Sequence, residues 1–319
     1  DCANVRRRAW AAHLWWGERN HEGNHRAFAV ISLFSLELVD KFNGAKFLQE
    51  RDPLNLPWEK LGIDIAVEAT GVFASYEKAK VHLKAGAKRV VVSAPVKDDP
   101  EAAGVVGATV LMGVNEDALQ TCQISSNASC TTNAGSPIIG ILDENIGIEK
   151  AVLNTVHGYT ATQSLVDGPR PHGKDFRKGR AAAINMIPSS TGAAVATTKA
   201  HEQLAGKFDG IAIRVPVPAG SLADITFIAK RDTSVEEVNE ILKGASGNAR
   251  WSKVFAVTED PVVSTDILGD THASIADLSM TRVVGGNLVK VLAWYDNETG
   301  YANALVEHVI KSGQHVANS

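Results

Sequence analysis

Cys130 stands in the string SNASCTTN, Ser126 to Asn133, where hydroxyl residues lead into the apolar run of CTTNAGSPIIGILDENIG. Capping residues followed by an apolar stretch predict a helix whose first turn holds the cysteine. A thiol is a useful nucleophile only as thiolate, and a free cysteine with a pKa of about 8.5 is mostly protonated at neutral pH. A helix N-terminus supplies partial positive charge and free N–H groups, and a nearby imidazole can take the proton. His157, in the strand-like run AVLNTVHGYTAT that follows, offers that imidazole. The chemistry would be thiolate attack on an electrophilic carbon, with His157 as the base. These residues alone leave a second reading open, since an unpaired cysteine also packs as a small hydrophobe.

The elements that would position the pair follow from the hydrophobic pattern. From Ile63 onward, IDIAVEA reads as a buried strand, SYEKAKVHLKAG as an amphipathic helix ending at Gly86, and KRVVVSAP as a second strand. Near-continuous apolar strands of this kind suit a parallel sheet covered on both faces. Beyond Cys130 the strand signals lengthen in AVLNTVHGYTAT, FDGIAIRVPV, ADITFIAKR and NLVKVLAWYD, with TSVEEVNEILKGA as a helix among them. Strands grouped in this way suggest an α+β domain. A last helix is expected from about Gly300 to Ser312, after the turn DNETG. Residues 1–26 show neither helical nor strand periodicity and receive no assigned fold.

A length of 319 residues suggests two domains, and 45% hydrophobic with 21% charged residues is ordinary for a soluble protein. The formal net charge of −4 gives no positive field to gather nucleic acid or an anionic membrane, so an anionic ligand needs placed donors. The run Ala27 to Val39 is broken by Ser32, Ser35 and Glu37 and falls short of the roughly 20 residues of a membrane span. Cys2, Cys122 and Cys130 are too few and too irregularly spaced for a disulfide framework or a metal site, which fits a reducing, cytoplasmic setting. Arg6, Arg7 and Arg8 precede no sustained apolar stretch, so a signal peptide is not expected, and the start at Asp1 suggests that the true start is missing.

SNASCTTN is followed by TVHGYTATQ, Thr155 to Gln163. In order along the chain also stand FLQERDP, EATGVF, SAPVKD, GVNED, DFRKGRAAA, IPSSTGAA, IRVPVP and WYDNETGY. From about Phe47 to the C-terminus the sequence thereby resembles the phosphorylating glyceraldehyde-3-phosphate dehydrogenases. That resemblance implies Cys130 as nucleophile and His157 as base in the oxidation of glyceraldehyde 3-phosphate to 1,3-bisphosphoglycerate. It further implies Thr160 and Arg214 as ligands of the substrate phosphate, and Ser129, Thr131, Thr191 and Gly192 as ligands of the attacking inorganic phosphate. Arg177 would lie near the latter, with Arg180 as a competing candidate. Arg51, Thr70, Gly71 and Ser93 match positions along the adenine and ribose path of NAD, Asn297 the amide that fixes the nicotinamide carboxamide, and Tyr301 a residue beside it. NADP is not excluded, and a homotetramer is implied. His82, His201, His272 and His308 fall outside these motifs and are expected to be solvated or structural.

The implied architecture is α/β: an incomplete Rossmann-type parallel-sheet domain plus an α+β catalytic domain with a mostly antiparallel sheet. The expected division is 1–129 for the dinucleotide-binding domain, with 1–46 unassigned, 130–296 for the catalytic domain, and 297–319 for a C-terminal helix returning to the first. One departure stands out. A dinucleotide fold opens with strand, G-x-G-x-x-G and helix. Gly17 and Gly23 are the sole glycines before Gly44 and do not have that spacing, so the first β-α-β unit is expected to be lost or replaced. Weak cofactor binding would follow, because that loop and its helix dipole hold the pyrophosphate. Ala134 replaces a second cysteine found in many relatives and lies outside the nucleophile's role. Two other readings compete: a dehydrogenase of the erythrose-4-phosphate type sharing the same cysteine and histidine, and a non-catalytic remnant.

Overall fold

The computed structural model describes residues 11–16, 27–32, 47–169 and 175–316. Cys2, Gly17 and Gly23 lie outside them. By its internal contacts the chain divides into two compact units. The first takes residues up to Val110, Glu116–Ala128 and Val306 onward; the second takes Leu111–Asn115 and Ser129–Leu305.

The first unit contains strands β1 (Ala11–Trp16), β2 (Ala27–Ser32), β3 (Phe47–Gln49), β4 (Ile65–Glu68), β5 (Arg89–Val92), β6 (Gly107–Thr109) and β7 (Ile124–Ser126), in spatial order β3-β1-β2-β4-β5-β7-β6. From β2 across β4, β5 and β7 to β6 the pairing is parallel, as the apolar strand pattern led us to expect. Helices α1 (Trp58–Leu61) and α2 (Tyr76–Lys84) accompany them, α2 capped by the Ser75 side chain. The absence of strand periodicity assigned to residues 1–26 needs correction. Ala11–Trp16 forms a strand antiparallel to both β2 and β3, defined by backbone pairing rather than by alternation of its side chains.

Every residue of β4 and β5 is buried, charged ones included, so each charge must find a partner. Glu68 meets His82 Nε2 at 3.0 Å. Arg89 donates to the carbonyls of Leu119, Gln120 and His315. Of the histidines outside the motifs, His82, His201 and His308 are buried and structural, whereas His272 is partly exposed and faces Asp270 at 2.8 Å.

The second unit holds β8 (Ile148–Gly158), β9 (Ile187–Ser190), β10 (Phe208–Val215), β11 (Ser221–Ala229), β12 (Phe255–Thr258), β13 (Ser274–Val284) and β14 (Leu288–Tyr295), in spatial order β12-β13-β14-β11-β8-β10-β9. Two of its pairings, β8 with β10 and β12 with β13, are parallel and the rest antiparallel, which makes the sheet mixed and mostly antiparallel. One face carries the helices α3 (Cys130–Ile146), α4 (Ala193–Ala200) and α5 (Val235–Ser246). Strict alternation places Val289, Val291, Ala293 and Tyr295 of β14 inward, against Ile138, Ile141 and Leu142 of α3. Burial of these aliphatic side chains, each contributing roughly 1.5–3 kcal/mol, holds α3 on the sheet. The short strands β9, β12 and β6 carried no signal that the sequence pattern could separate from loop.

Helix α6 (Thr299–Gln314) gives its first residues to the second unit and the rest to the first. No helix among the described residues is long and apolar enough to cross a membrane.

Candidate active site

The chain leaves β7 through Ala128, whose φ of +55° makes it the one non-glycine residue with positive φ among those described. An L residue in that region costs roughly 1–2 kcal/mol. Here the Ser126 hydroxyl offsets part of that cost by accepting from Ala128 N at 3.1 Å while donating to the Ala94 carbonyl at 2.7 Å. Ser129 then caps α3, its Oγ accepting from Thr132 N at 3.1 Å, and Cys130 follows as the first helical residue. Cys130 as a residue is half-buried.

His157, near the end of β8, places Nε2 3.4 Å from Cys130 Sγ. The residue after it is glycine for a steric reason: a Cβ on Gly158 would stand 2.9 Å from the Val217 carbonyl. Arg214 of β10 pairs in register with His157 across the parallel ladder and reaches its Nδ1 at 2.7 Å. The Gly158 carbonyl lies 2.6 Å from the same nitrogen and accepts from Arg214 Nη1 at 3.1 Å. Nδ1 is thus bracketed by a group that only donates and one that only accepts. With its proton on Nδ1 the ring turns a lone pair toward the thiol; with it on Nε2 the ring donates to a thiolate. Burial, and then the Arg214 charge, lower the His157 pKa to about 4, so the ring is neutral at pH 7. Burial raises the pKa of the Cys130 thiol, opposed by the neighbouring Thr131 and by the Arg214 charge. The buried Nε of Arg214 has no acceptor among the described residues, which leaves donor capacity for an anion.

The other residues singled out from the sequence divide into groups. Ser129 caps α3 and Thr131 sits in its first turn, and Thr132 Oγ1 donates to the Ala193 carbonyl at 3.5 Å. That contact sets the start of α3 beside the start of α4, where Thr191 Oγ1 accepts from Ala193 N at 3.1 Å and the space next to Gly192 is open. Two adjacent helix N-termini with hydroxyl residues suit an anion. Thr160 is bound locally to Thr162 and Gln163. Arg177 lies on an exposed turn, its Nε 3.6 Å from Asp175, and Arg180 is paired with Asp167 at 3.1 Å.

On the cofactor side, Arg51, Thr70, Gly71 and Ser93 belong to the first unit, and Asn297 and Tyr301 to the second. The Arg51 side chain is exposed. Thr70 is buried and donates both its N–H and its hydroxyl to Glu68 Oε1, just before Gly71 at φ +73°. Ser93 N donates to the Glu68 carbonyl at 2.9 Å. Asn297 Oδ1 accepts from Gly220 N at 3.1 Å and Ser221 Oγ at 3.0 Å. Since a backbone N–H can only donate, the amide orientation is fixed. Tyr301 is half-buried in α6. Sequence reasoning passed over Glu68, Ser221 and Tyr295. A glutamate inside a buried strand, and a tyrosine on the inward phase of β14, were the available signals.

Residues 129–297 match the family model described as glyceraldehyde 3-phosphate dehydrogenase, C-terminal domain. The chain is 45% identical to the glyceraldehyde-3-phosphate dehydrogenase of Streptomyces coelicolor, over 84% of this chain and 77% of that protein. It is 47% identical to the enzyme of that name from Zymomonas mobilis, over 81% and 74%. Against glyceraldehyde-3-phosphate dehydrogenase 1 of Kluyveromyces lactis it is 47% identical over 94% of this chain and 88% of the relative. All three are named for glyceraldehyde 3-phosphate rather than for erythrose 4-phosphate. With the family model covering more than half of the chain and relatives this similar along most of its length, the chain belongs to the glyceraldehyde-3-phosphate dehydrogenase family.

Proposed function

We infer that the chain oxidises glyceraldehyde 3-phosphate and couples the oxidation to acyl phosphate formation, as an oxidoreductase of glycolysis. The observation that carries this reading is the Cys130 Sγ to His157 Nε2 approach of 3.4 Å beside a guanidinium with an unpartnered nitrogen. Cys130 attacks the aldehyde carbon, and His157 takes the proton from the resulting thiohemiacetal hydroxyl as hydride departs. The thioester that remains keeps the energy of oxidation. Inorganic phosphate, held by Ser129, Thr131, Thr191 and Gly192 with Arg177 as a further cation, attacks the thioester carbon and releases the thiolate. Arg214 and Thr160 hold the substrate's own phosphate; a guanidinium fork can make two parallel charge-assisted bonds to it.

Bound NAD, or NADP, supplies the hydride acceptor. Asn297 fits a carboxamide: its Oδ1 is occupied by two donors and its Nδ2 has no acceptor among the described residues, so it presents a donor. Arg51, Thr70, Gly71, Ser93 and Tyr301 complete the proposed cofactor residues. A homotetramer is part of the reading, supported by the exposed Val152, Ile211 and Val284 on the sheet of the second unit. The cytoplasmic setting is supported by the free thiols of Cys122 and Cys130.

The test measures NADH formation from glyceraldehyde 3-phosphate, phosphate and saturating NAD. Cys130→Ser is expected to lower turnover by roughly 10⁴-fold or more, the scale of losing a covalent nucleophile. Turnover retained within tenfold by the serine variant would exclude Cys130 as the nucleophile.

A further inference from the structure

Ser221 opens β11 and is buried, as are the groups around it: Gly158 at the end of β8, Gly220 and Asn297. The register of β11 against β14 sets Ser221 opposite Tyr295, two residues before Asn297. Its Oγ accepts from Gly158 N at 3.2 Å and donates to Asn297 Oδ1 at 3.0 Å. A second donor, Gly220 N, reaches the same Oδ1 at 3.1 Å. The other polar group of Gly158, its carbonyl, is the one that lies beside His157 Nδ1 and accepts from Arg214 Nη1. One hydroxyl therefore joins the glycine that flanks the base to the amide proposed to meet the cofactor.

We propose that Ser221 is a positioning residue for the nicotinamide end of the cofactor: it locks the Asn297 amide with Nδ2 as the end offered to the carboxamide, and ties that amide to the end of β8. The proposal rests on the reading of Asn297 as the carboxamide's ligand. The direction of each bond follows from proton counting, because both outer donors are backbone N–H groups, which cannot accept. Gly158 N gives its proton to Ser221 Oγ, and Gly220 N gives its own to an oxygen, so the atom shared by Gly220 and Ser221 is Oδ1. The serine's single proton then has Oδ1 as its acceptor. An amide turned end for end would set Nδ2 against the Gly220 N–H, two donors face to face in a buried place. Loss of the Ser221 hydroxyl removes one of the two bonds that oppose this turn and leaves the buried Gly158 N–H without its acceptor. With its proton spent on Oδ1, Ser221 acts on a ligand only through Asn297.

Calorimetry without substrate measures binding of NAD and of ADP-ribose, which lacks the nicotinamide, so that turnover plays no part. Ser221→Ala is expected to weaken NAD about fivefold, the scale of one neutral hydrogen bond, and ADP-ribose by less than about twofold. In an Asn297→Ala background the same substitution should not weaken NAD further, because the effect passes through the amide. Equal weakening of both compounds, or an undiminished loss in the Asn297→Ala background, marks a merely structural serine and overturns the proposal. Unchanged NAD affinity in Ser221→Ala overturns it as well. Should Ser221→Ala fail to fold, Ser221→Cys, which keeps only a weak donor, carries the same comparison, and parallel changes in both compounds overturn it equally. NAD affinity unmoved by Asn297→Ala alone, or an unsubstituted chain that binds neither compound, would instead remove the cofactor reading beneath it.

Discussion

Around the half-buried Cys130, polar groups from α3, β8, β10 and β14 converge, and Arg214 keeps a nitrogen without a partner among the described residues. At the end of β4, by contrast, Glu68, His82 and Thr70 are all buried and both carboxylate oxygens are occupied, while His82 Nδ1 has no hydrogen-bond partner among the described residues. Both are clusters of largely buried polar side chains at the ends of interior strands, and in each most of the polar groups are paired. What separates them is what the unspent capacity stands beside, since Arg214 Nε and His82 Nδ1 both lack a partner among the described residues. The first cluster has a half-buried thiol and an idle donor, and so has capacity for a ligand. The second spends both carboxylate oxygens of Glu68 on its neighbours and fixes the turn that presents Thr70 and Gly71. Neither placement of polar residues in a core nor a leftover nitrogen distinguishes chemistry from structure; a leftover donor beside a thiol does.

The sharpest way to break this comparison is at His82. His82→Ala leaves Glu68 buried without its imidazole and is expected to cost about 3 kcal/mol of stability. Denaturant titration would measure that loss, while alkylation of Cys130 in the folded fraction should keep its rate. A parallel fall in alkylation would mean that the two clusters are not separable. Arg214→Leu tests the idle donor. We expect kcat/KM for glyceraldehyde 3-phosphate to fall about 100-fold, against less than about fivefold for unphosphorylated glyceraldehyde, because only the former has a phosphate to grip. Equal losses on both would assign Arg214 to the fold.

The smallest expected effect is a pH dependence shared by the two units. Burial lowers the pKa of His308 to about 3, and burial with Arg214 lowers that of His157 to about 4. An unfolded chain, with histidine near 6.5, binds more protons than the folded one below that pH. Stability is therefore full above about pH 6.5 and declines as the pH falls toward 4, with His308 alone accounting for about 2 kcal/mol at pH 5. Denaturation midpoints at pH 7.5 and 5 would show the decline, and His308→Asn should flatten it. An unchanged slope in that variant would mean that His308 does not set the acid sensitivity.

The sequence by itself determined the central elements, because their patterns are local. Ser129 before an apolar run specified the start of α3, unbroken apolar segments specified β4 and β5, and alternation specified β11 and β14. It also carried the identities of Cys130 and His157, in motifs whose order along the chain the family shares. Only the tertiary structure decided what those residues face. The register of β8 against β10 sets Arg214 beside His157, a pairing between strands far apart in sequence. The inward phase of β14 delivers Tyr295 to two threonines on different elements. Residues 11–16 became a strand through backbone pairing with β2 and β3, with no pattern of their own to announce it. Short-range patterns encode burial and caps, whereas hydrogen-bond partners across a sheet depend on register, which is set by the packing of both faces at once.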